Sequence, residues 1–327
     1  MSARMQSPVK LGVVGLGAFG TLHARTVLGL AEAELVAVVA RRQASLDAFA
    51  AVAPEVPGYL DVVQAAQRSD AEAYIVASAT ASHVPLTRVL LEAGKTVLLE
   101  KPIAADRKAA GSLEPWVRDD SRNLMMGHIL LFNSEFRQLQ EELQDCGPVR
   151  FIDAVRHRPV RTIELYPGES PFHLTMTHDL YCVQALLQRA DPVRFSAQVQ
   201  RDAAGRMNLA LAQLQWDDGT IASLTASFMT TAGMAADGFD RMEAFGDGWV
   251  ARLLPNPRPI EFYQESARWP MALEIRAEAG TATGMLAEEL RCFCRVVRGV
   301  DTVPVGATYG DALQLMRWLE ALEAAAG

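Results

Sequence analysis

No stretch of the chain approaches the roughly 18–20 unbroken apolar residues that a bilayer span needs. The opening MSARMQSPVK has no apolar core of the kind a secretion signal carries, and the first apolar strand follows at once. Cysteine is scarce: Cys146, Cys182, Cys292 and Cys294 are the four in 327 residues, and none forms a CxxC pair. Cys292 and Cys294, two positions apart, would point to different sides of a helix, so no metal site is expected. Reduced packing thiols in a cytoplasmic protein are the expected reading. Positive charge is also short. Asp and Glu outnumber Lys and Arg by 39 to 31, and the net charge of −8 argues against nucleic acid or an anionic membrane as the main partner. There are no internal repeats or low-complexity tracts.

Apolar residues, by contrast, are abundant. They make up 50 % of the chain against 21 % charged, which supplies a large core, and 327 residues suggest two domains. The most informative stretch is Leu11 to Gly20, LGVVGLGAFG. An apolar run, Val9 to Val14, leads into the turn Gly15-Leu16-Gly17-Ala18-Phe19-Gly20, and a helix-compatible stretch, Thr21 to Leu30, leads out. Strand, tight glycine turn and helix are the context of a dinucleotide-binding fingerprint. Gly15 would allow the sharp turn, Gly17 would let the backbone approach a pyrophosphate, and Gly20 would let the helix lie close on the strand. The helix N-terminus would then offer free N–H groups and the positive end of its dipole to the phosphates.

The residue expected to read the cofactor ribose lies about twenty positions on. There the second strand, Leu35 to Val39, ends in Ala40-Arg41-Arg42 with no carboxylate. An aspartate would bond a 2′-hydroxyl and repel a 2′-phosphate. Two arginines would attract that phosphate, so the expected cofactor is NADP, with NAD the alternative.

Strands and helices alternate through the rest of this part. A helix runs from about Ser45 to Val52, closed by Pro54 and Pro57, and a short one starts at Asp61. Ala73 to Ala77 reads as a buried strand whose loop, Ser78 to Ser82, leads to a helix starting about Ser82-His83-Val84-Pro85 and stopping at Gly94. Thr96 to Leu99 is a further strand ending at Glu100-Lys101-Pro102, and a helix is expected from Asp106 to Asp119 before a last strand, Leu124 to His128. This alternation predicts a doubly wound parallel sheet, whose ligands bind beyond the carboxyl ends of the strands. The Gly15 turn, Ala40-Arg41, Ser78 to His83 and Glu100-Lys101 all fall at such ends. The cofactor-binding candidates are therefore Gly15, Leu16, Gly17, Ala18, Phe19, Gly20, Arg41, Arg42, Ser78, Thr80, His83, Glu100 and Lys101.

Asn133 or Ser134 then caps a helix, Glu135 to Asp145, and from Val149 the pattern changes to successive strands: Val149–Val155, Val193–Gln200, Met207–Trp216, Ile221–Phe228, Arg241–Phe245 and Trp249–Leu253. Asp217-Asp218-Gly219 is a hairpin signal between two of them. One helix, about Thr175 to Leu187, interrupts the strands. Prolines 255, 257 and 259 suggest a loop or edge, and two helices, about Met285–Arg298 and Tyr309–Ala325, close the chain. The expected organisation is a dinucleotide-binding Rossmann domain over 1–125. An α+β domain with a largely antiparallel open sheet follows over 126–327, its last helix returning to the first domain.

In their order and spacing these residues resemble the Gfo/Idh/MocA family of nicotinamide-dependent oxidoreductases. The likeness is carried by the fingerprint, the loop ending in His83, the block EAGKTVLLEKP at 92–102, Gly127-His128, His178-Asp179 and the Asp-Asp-Gly hairpin. It implies hydride transfer to or from a hydroxyl of a sugar, cyclitol or related polyol. It also implies a homo-oligomer, dimer or tetramer, formed through the open sheet. Three departures stand out. Leu174 occupies the place, four before the histidine, where the family commonly has an aspartate; Leu131 stands where an arginine is frequent; and the acidic ribose reader is absent.

Within this frame Lys101 and His178 are the catalytic candidates. Lys101, just past a strand end, is a compact cation able to stabilise a developing alkoxide and to touch the nicotinamide ribose. His178 has the side chain whose ordinary pKa suits proton exchange near neutrality. Asp179, one residue on, would not share its helical face. Lys101, His173, Thr175 and His178 are the substrate-binding candidates. His173 and His178, five apart, diverge on a helix and do not suit metal ligation. His83 is expected to position cofactor or pack, and His128 to be structural, between the domains. Two other functions suit the same scaffold: a cofactor-sensing regulator without catalysis, and a glycoside hydrolase using bound NAD for transient oxidation.

Overall fold

Six short apolar runs pair in parallel to form the first sheet of the computed structural model, which describes residues 7–188, 191–231, 238–256, 262–263, 267–268, 275–278 and 281–327. They are β1 (Val9–Val14), β2 (Ala33–Val39), β3 (Gly58–Tyr59), β4 (Ala73–Val76), β5 (Thr96–Glu100) and β6 (Leu124–Gly127), in the order β3-β2-β1-β4-β5-β6. Leu11, Val13, Ile75, Val76, Val97, Leu98 and Leu99 are fully buried. Such strands are covered on both faces, as a parallel sheet requires. The covering helices are α1 (Ala18–Leu28), α2 (Gln43–Ala50), α3 (Val62–Arg68), α4 (Thr80–Glu92) and α5 (Arg107–Gly111). Asp61 caps α3 by accepting from the Gln64 amide at 2.9 Å, and Asp106 caps α5 through the Ala109 amide at 2.8 Å.

Besides shifts of two or three residues at α1 and α2, two boundaries differ from the sequence reading for reasons the residues show. α4 begins at Thr80, two residues before Ser82, and carries Pro85 inside it. α5 is one turn and a half, not a helix to Asp119. Pro115 cannot donate to a helical ladder, and the chain continues in short 3₁₀ turns, Glu114–Trp116 and Asp119–Ser121.

The second sheet follows α6 (Ser134–Glu142), which Asn133 caps at 3.0 Å from the Phe136 amide. Its strands are β7 (Val149–Pro159), β8 (Arg194–Arg201), β9 (Met207–Gln215), β10 (Ile221–Thr230), β11 (Phe239–Gly246) and β12 (Trp249–Asn256), in the order β12-β11-β7-β10-β9-β8. All neighbours are antiparallel except β7 and β10. One face is apolar and buried, with Ile152, Ala154, Ala210, Leu214, Ala222, Leu224 and Ala244 on it. The alternate positions are wetter, the period-2 pattern of a sheet covered on one side. Asp217-Asp218-Gly219 closes the β9–β10 hairpin, where Gly219 takes a φ of +85°. Pro255 lies in β12, whereas Pro257 and Pro259 fall outside the described residues.

Between β7 and β8 lie α7 (Thr162–Leu165) and α8 (Thr177–Leu187), the latter entered through a wide π-helical turn, Phe172–Met176. Two helices close the chain: α9 (Met285–Val297) and α10 (Tyr309–Ala326). The chain separates into two compact units, residues 1–132 with 274–313, and residues 133–273 with 314–327. Within the first, α9 packs on α1 and on Ile129–Phe132. Within the second, the α10 residue Trp318 is buried. Its indole donates to Asp191 at 2.9 Å and meets Trp216 edge-on.

Candidate active site

Pairing in the first sheet aligns its strand ends: Val14 lies opposite Val39 and Val76, and Val76 opposite Leu99. The Gly15 turn, Ala40, Ser78 and Glu100-Lys101 therefore share one edge, where the strand order reverses beside β1. That is the place at which doubly wound sheets bind ligands. Gly15 has a φ of +101°, and a Cβ there would strike the Ala77 carbonyl; one on Gly20 would strike the carbonyl of Gly15. Gly17 is different. A Cβ there would meet nothing within 4 Å, so its backbone faces open space at the N-terminus of α1, where no side chain caps the helix. An open backbone approach and an uncapped helix N-terminus together suit a pyrophosphate. Phe19 is part-exposed and lies edge-on to His23 with ring centres 5.0 Å apart. Arg41 and Arg42 are both exposed just past β2, Arg42 at the N-cap of α2.

Lys101 sits between two anchored residues. Before it, Glu100 is buried: Oε1 accepts from His23 Nε2 at 2.8 Å and Oε2 accepts from the Lys101 amide at 3.3 Å. Gly127 leaves room for this carboxylate, since a Cβ there would lie 2.7 Å from Oε1. After it, the Pro102 carbonyl lies 2.7 Å from His83 Nδ1, while His83 Nε2 lies 3.0 Å from the Ser78 carbonyl. His83 is thus buried between two loops of the candidate edge and holds them through backbone oxygens. Ser78 bonds Ser82 through the two hydroxyls at 2.8 Å, and Thr80 opens α4. His128 is fully buried within the first unit, where its Nδ1 donates to the Gly306 carbonyl. Burial pushes its pKa down to about 4 against the opposing pull of that bond, of Glu100 and of Asp311.

His23 and Glu100 have a third neighbour that the sequence did not suggest. Glu289 on α9 is fully buried, and one donor atom from each of the three residues lies within 4.8 Å of the others. Among the described residues this is the one such group able by residue type to hold a metal ion. Neither Glu289 oxygen has a hydrogen-bond partner, and burial, with Glu100 adding to it, raises the Glu289 pKa well above the usual carboxylate range.

In the second unit His178 is half-buried in the first turn of α8, and its Nδ1 lies 2.7 Å from the Tyr181 hydroxyl. Asp179 points off that face, as a one-residue offset requires, and accepts from Arg156 Nε at 3.1 Å and Nη2 at 2.8 Å. Arg156 also donates to Asp240 at 2.8 Å, and Asp240 is shared with Arg158. Burial alone would lower the Arg156 pKa, but Asp179 and Asp240 overcome it and hold the guanidinium charged. His173 and Thr175 lie in the π-helical turn. The His173 imidazole pairs with Glu323 at 2.9 Å in an exposed setting, and the Thr175 hydroxyl donates to the Pro171 carbonyl at 2.8 Å. Tyr181 was not singled out from the sequence, although its place at i+3 from His178 on a helix could have marked it. Arg156 and Asp240 are ordinary strand residues in sequence, and nothing local marks them.

Residues 9–128 match the family profile described as "Oxidoreductase family, NAD-binding Rossmann fold". The chain is 28% identical over 270 residues to an inositol 2-dehydrogenase of Rhizobium meliloti, covering 77% of each. It is 34% identical over 186 residues to inositol 2-dehydrogenase 1 of Saccharopolyspora erythraea, a match spanning 55% of this chain and 54% of that protein. Among solved structures, scyllo-inositol dehydrogenase from Lactobacillus casei with bound NAD(H) and scyllo-inositol superimposes with a TM-score of 0.78. It does so at 21% identity over 98% of this chain and 97% of that one, a likeness of fold.

Proposed function

The chain belongs to the Gfo/Idh/MocA oxidoreductase family and is an NAD(P)-dependent dehydrogenase or reductase of CH–OH groups, and on that premise we propose that it acts on a secondary alcohol, or the matching ketone, of a cyclitol, sugar or related polyol. The alignment of the Gly15 turn with Glu100-Lys101 at one strand edge carries this reading, and the inositol dehydrogenases among the relatives support the substrate class.

The backbone amides of the Gly15–Gly20 turn would hold the pyrophosphate, and Arg41 and Arg42 a 2′-phosphate. Nicotinamide, when bound, gives or takes the hydride. Lys101 would steady the negative charge that develops on the substrate oxygen, and His178 would take the hydroxyl proton in oxidation or return it in reduction. Glu100, through His23 and the Lys101 amide, and His83, through Pro102, act by fixing where Lys101 begins.

The test compares NADPH and NADH binding, then screens a polyol and ketose panel with the preferred cofactor. NADPH should bind the more tightly, and replacing Arg41 and Arg42 together should weaken NADPH far more than NADH. Equal loss of both would remove the 2′-phosphate role. Absence of turnover across the panel, with cofactor bound, would favour the regulator.

A further inference from the structure

We propose that Tyr181 is a positioning residue for this reaction, holding the His178 imidazole by Nδ1 so that Nε2 is the nitrogen that exchanges a proton with substrate. The inference rests on the acid–base role given to His178 above.

Residues 178 and 181 are i and i+3 on α8, so their side chains share a face, and the hydroxyl lies 2.7 Å from Nδ1. The rings meet edge-on, 5.6 Å apart at 73°. Tyr181 is fully buried, so its hydroxyl is shielded from solvent. The helix is itself fixed in rotation by the paired bonds of Asp179 to Arg156, which Asp240 holds from β11. Two restraints therefore act on His178 in series. Asp179 sets the roll of the helix, and Tyr181 sets the ring.

The outer torsion of a histidine is broad and nearly two-fold, and a bond at one ring nitrogen selects between its two flips. Which nitrogen carries the proton follows from the bond the other one makes. With Nδ1–H donating to the Tyr181 oxygen, the lone pair is on Nε2. In oxidation the substrate hydroxyl proton passes to Nε2, giving an imidazolium whose Nδ1–H remains on Tyr181. In reduction Nε2–H returns that proton to the alkoxide and the neutral ring is restored in the same tautomer. The phenol never changes its proton count.

The decisive measurement is a two-bond proton–nitrogen correlation on protein labelled with ¹⁵N-histidine. With six histidines in the chain, the His178 signal is identified by its loss in His178→Asn. Wild-type protein should show one tautomer at His178, protonated on Nδ1, and Tyr181→Phe should shift it toward the Nε2–H form. A wild-type ring protonated on Nε2, or identical nitrogen shifts in Tyr181→Phe, would overturn the proposal without any substrate being known. With a turned-over polyol, Tyr181→Phe should lower kcat by about 10- to 100-fold, the scale of a misplaced reacting group, with KM nearly unchanged. In a His178→Ala background the same change should cost nothing further. Full turnover by His178→Ala would instead defeat the acid–base reading and leave the tautomer result standing.

Discussion

The imidazole of His23 donates to the carboxylate of Glu100 at 2.8 Å inside the first unit, joining the helix of the glycine turn to the strand end that carries Lys101. Glu289 closes this group from α9 with a carboxyl that has no hydrogen-bond partner. An unpartnered carboxylate so buried is costly, and its raised pKa expresses that cost.

The sign follows directly. A carboxyl neutral in the fold but ionised in the unfolded chain favours folding most below its unfolded pKa of about 4.3, and that contribution is lost as pH rises toward the folded value. Glu289→Gln keeps the shape and removes the ionisation. Its melting temperature should exceed that of wild type by a few degrees near pH 7.5, with the gap closing by about pH 4. A lower melting temperature at pH 7.5, matched by a chelator acting on wild type, would instead show that the three residues share a cation.

His128 gives stability the opposite slope. Its pKa falls to about 4 in the fold, so the unfolded chain binds the extra proton between about pH 6.5 and 4 and stability drops as pH falls through that window. The loss is of the order of 3 kcal/mol over the whole window, at about 1.4 kcal/mol per pH unit. His128→Asn can still donate to the Gly306 carbonyl and should flatten the profile of urea midpoint against pH. An unchanged slope would place the acid sensitivity elsewhere.

In the second unit one carboxylate serves two guanidiniums. Asp240 is about 1 % exposed and bonds both Arg156 and Arg158. Removing one partner of a buried pair leaves an uncompensated charge, at a cost of about 3–5 kcal/mol. Asp240→Ala should therefore lower the urea midpoint strongly, and Asp240→Asn less, as it still offers an acceptor. Wild-type stability in Asp240→Ala would mean that the pair contributes nothing net.

Much of this was readable in advance, for reasons that differ by residue. The Gly15–Gly20 turn is local: three glycines between an apolar strand and a helix say where the backbone must bend and approach. The alternation in 149–155 and 207–216 likewise states the period of a one-sided sheet. Helix 106–119 misled because its composition suits a helix while Pro115 breaks the ladder. The expected start of α8 at Thr175 missed the π-helical turn, which leaves Thr175 bonding Pro171. The His23, Glu100 and Glu289 group could not be read at all. Its members are 77 and 189 residues apart along the chain. Each alone looks like an ordinary polar residue on an amphipathic element.

The remaining prediction concerns Lys101. Its neighbours are pinned on both sides, Glu100 by His23 and Pro102 by His83, so truncating the side chain should leave the backbone path intact. Lys101→Ala then removes the ammonium and whatever it bonds, while the backbone stays in place. If that charge stabilises the oxyanion, kcat should fall by about 10²–10⁴, or roughly 3–5 kcal/mol of barrier. Cofactor affinity should change far less if, as proposed, the Gly15 turn and not this residue holds the phosphates. Rate loss with retained cofactor binding is the signature of an interaction made in the transition state. A variant that turns over normally would remove Lys101 from the chemistry, and one that loses cofactor and rate in equal measure would make it a binding residue only.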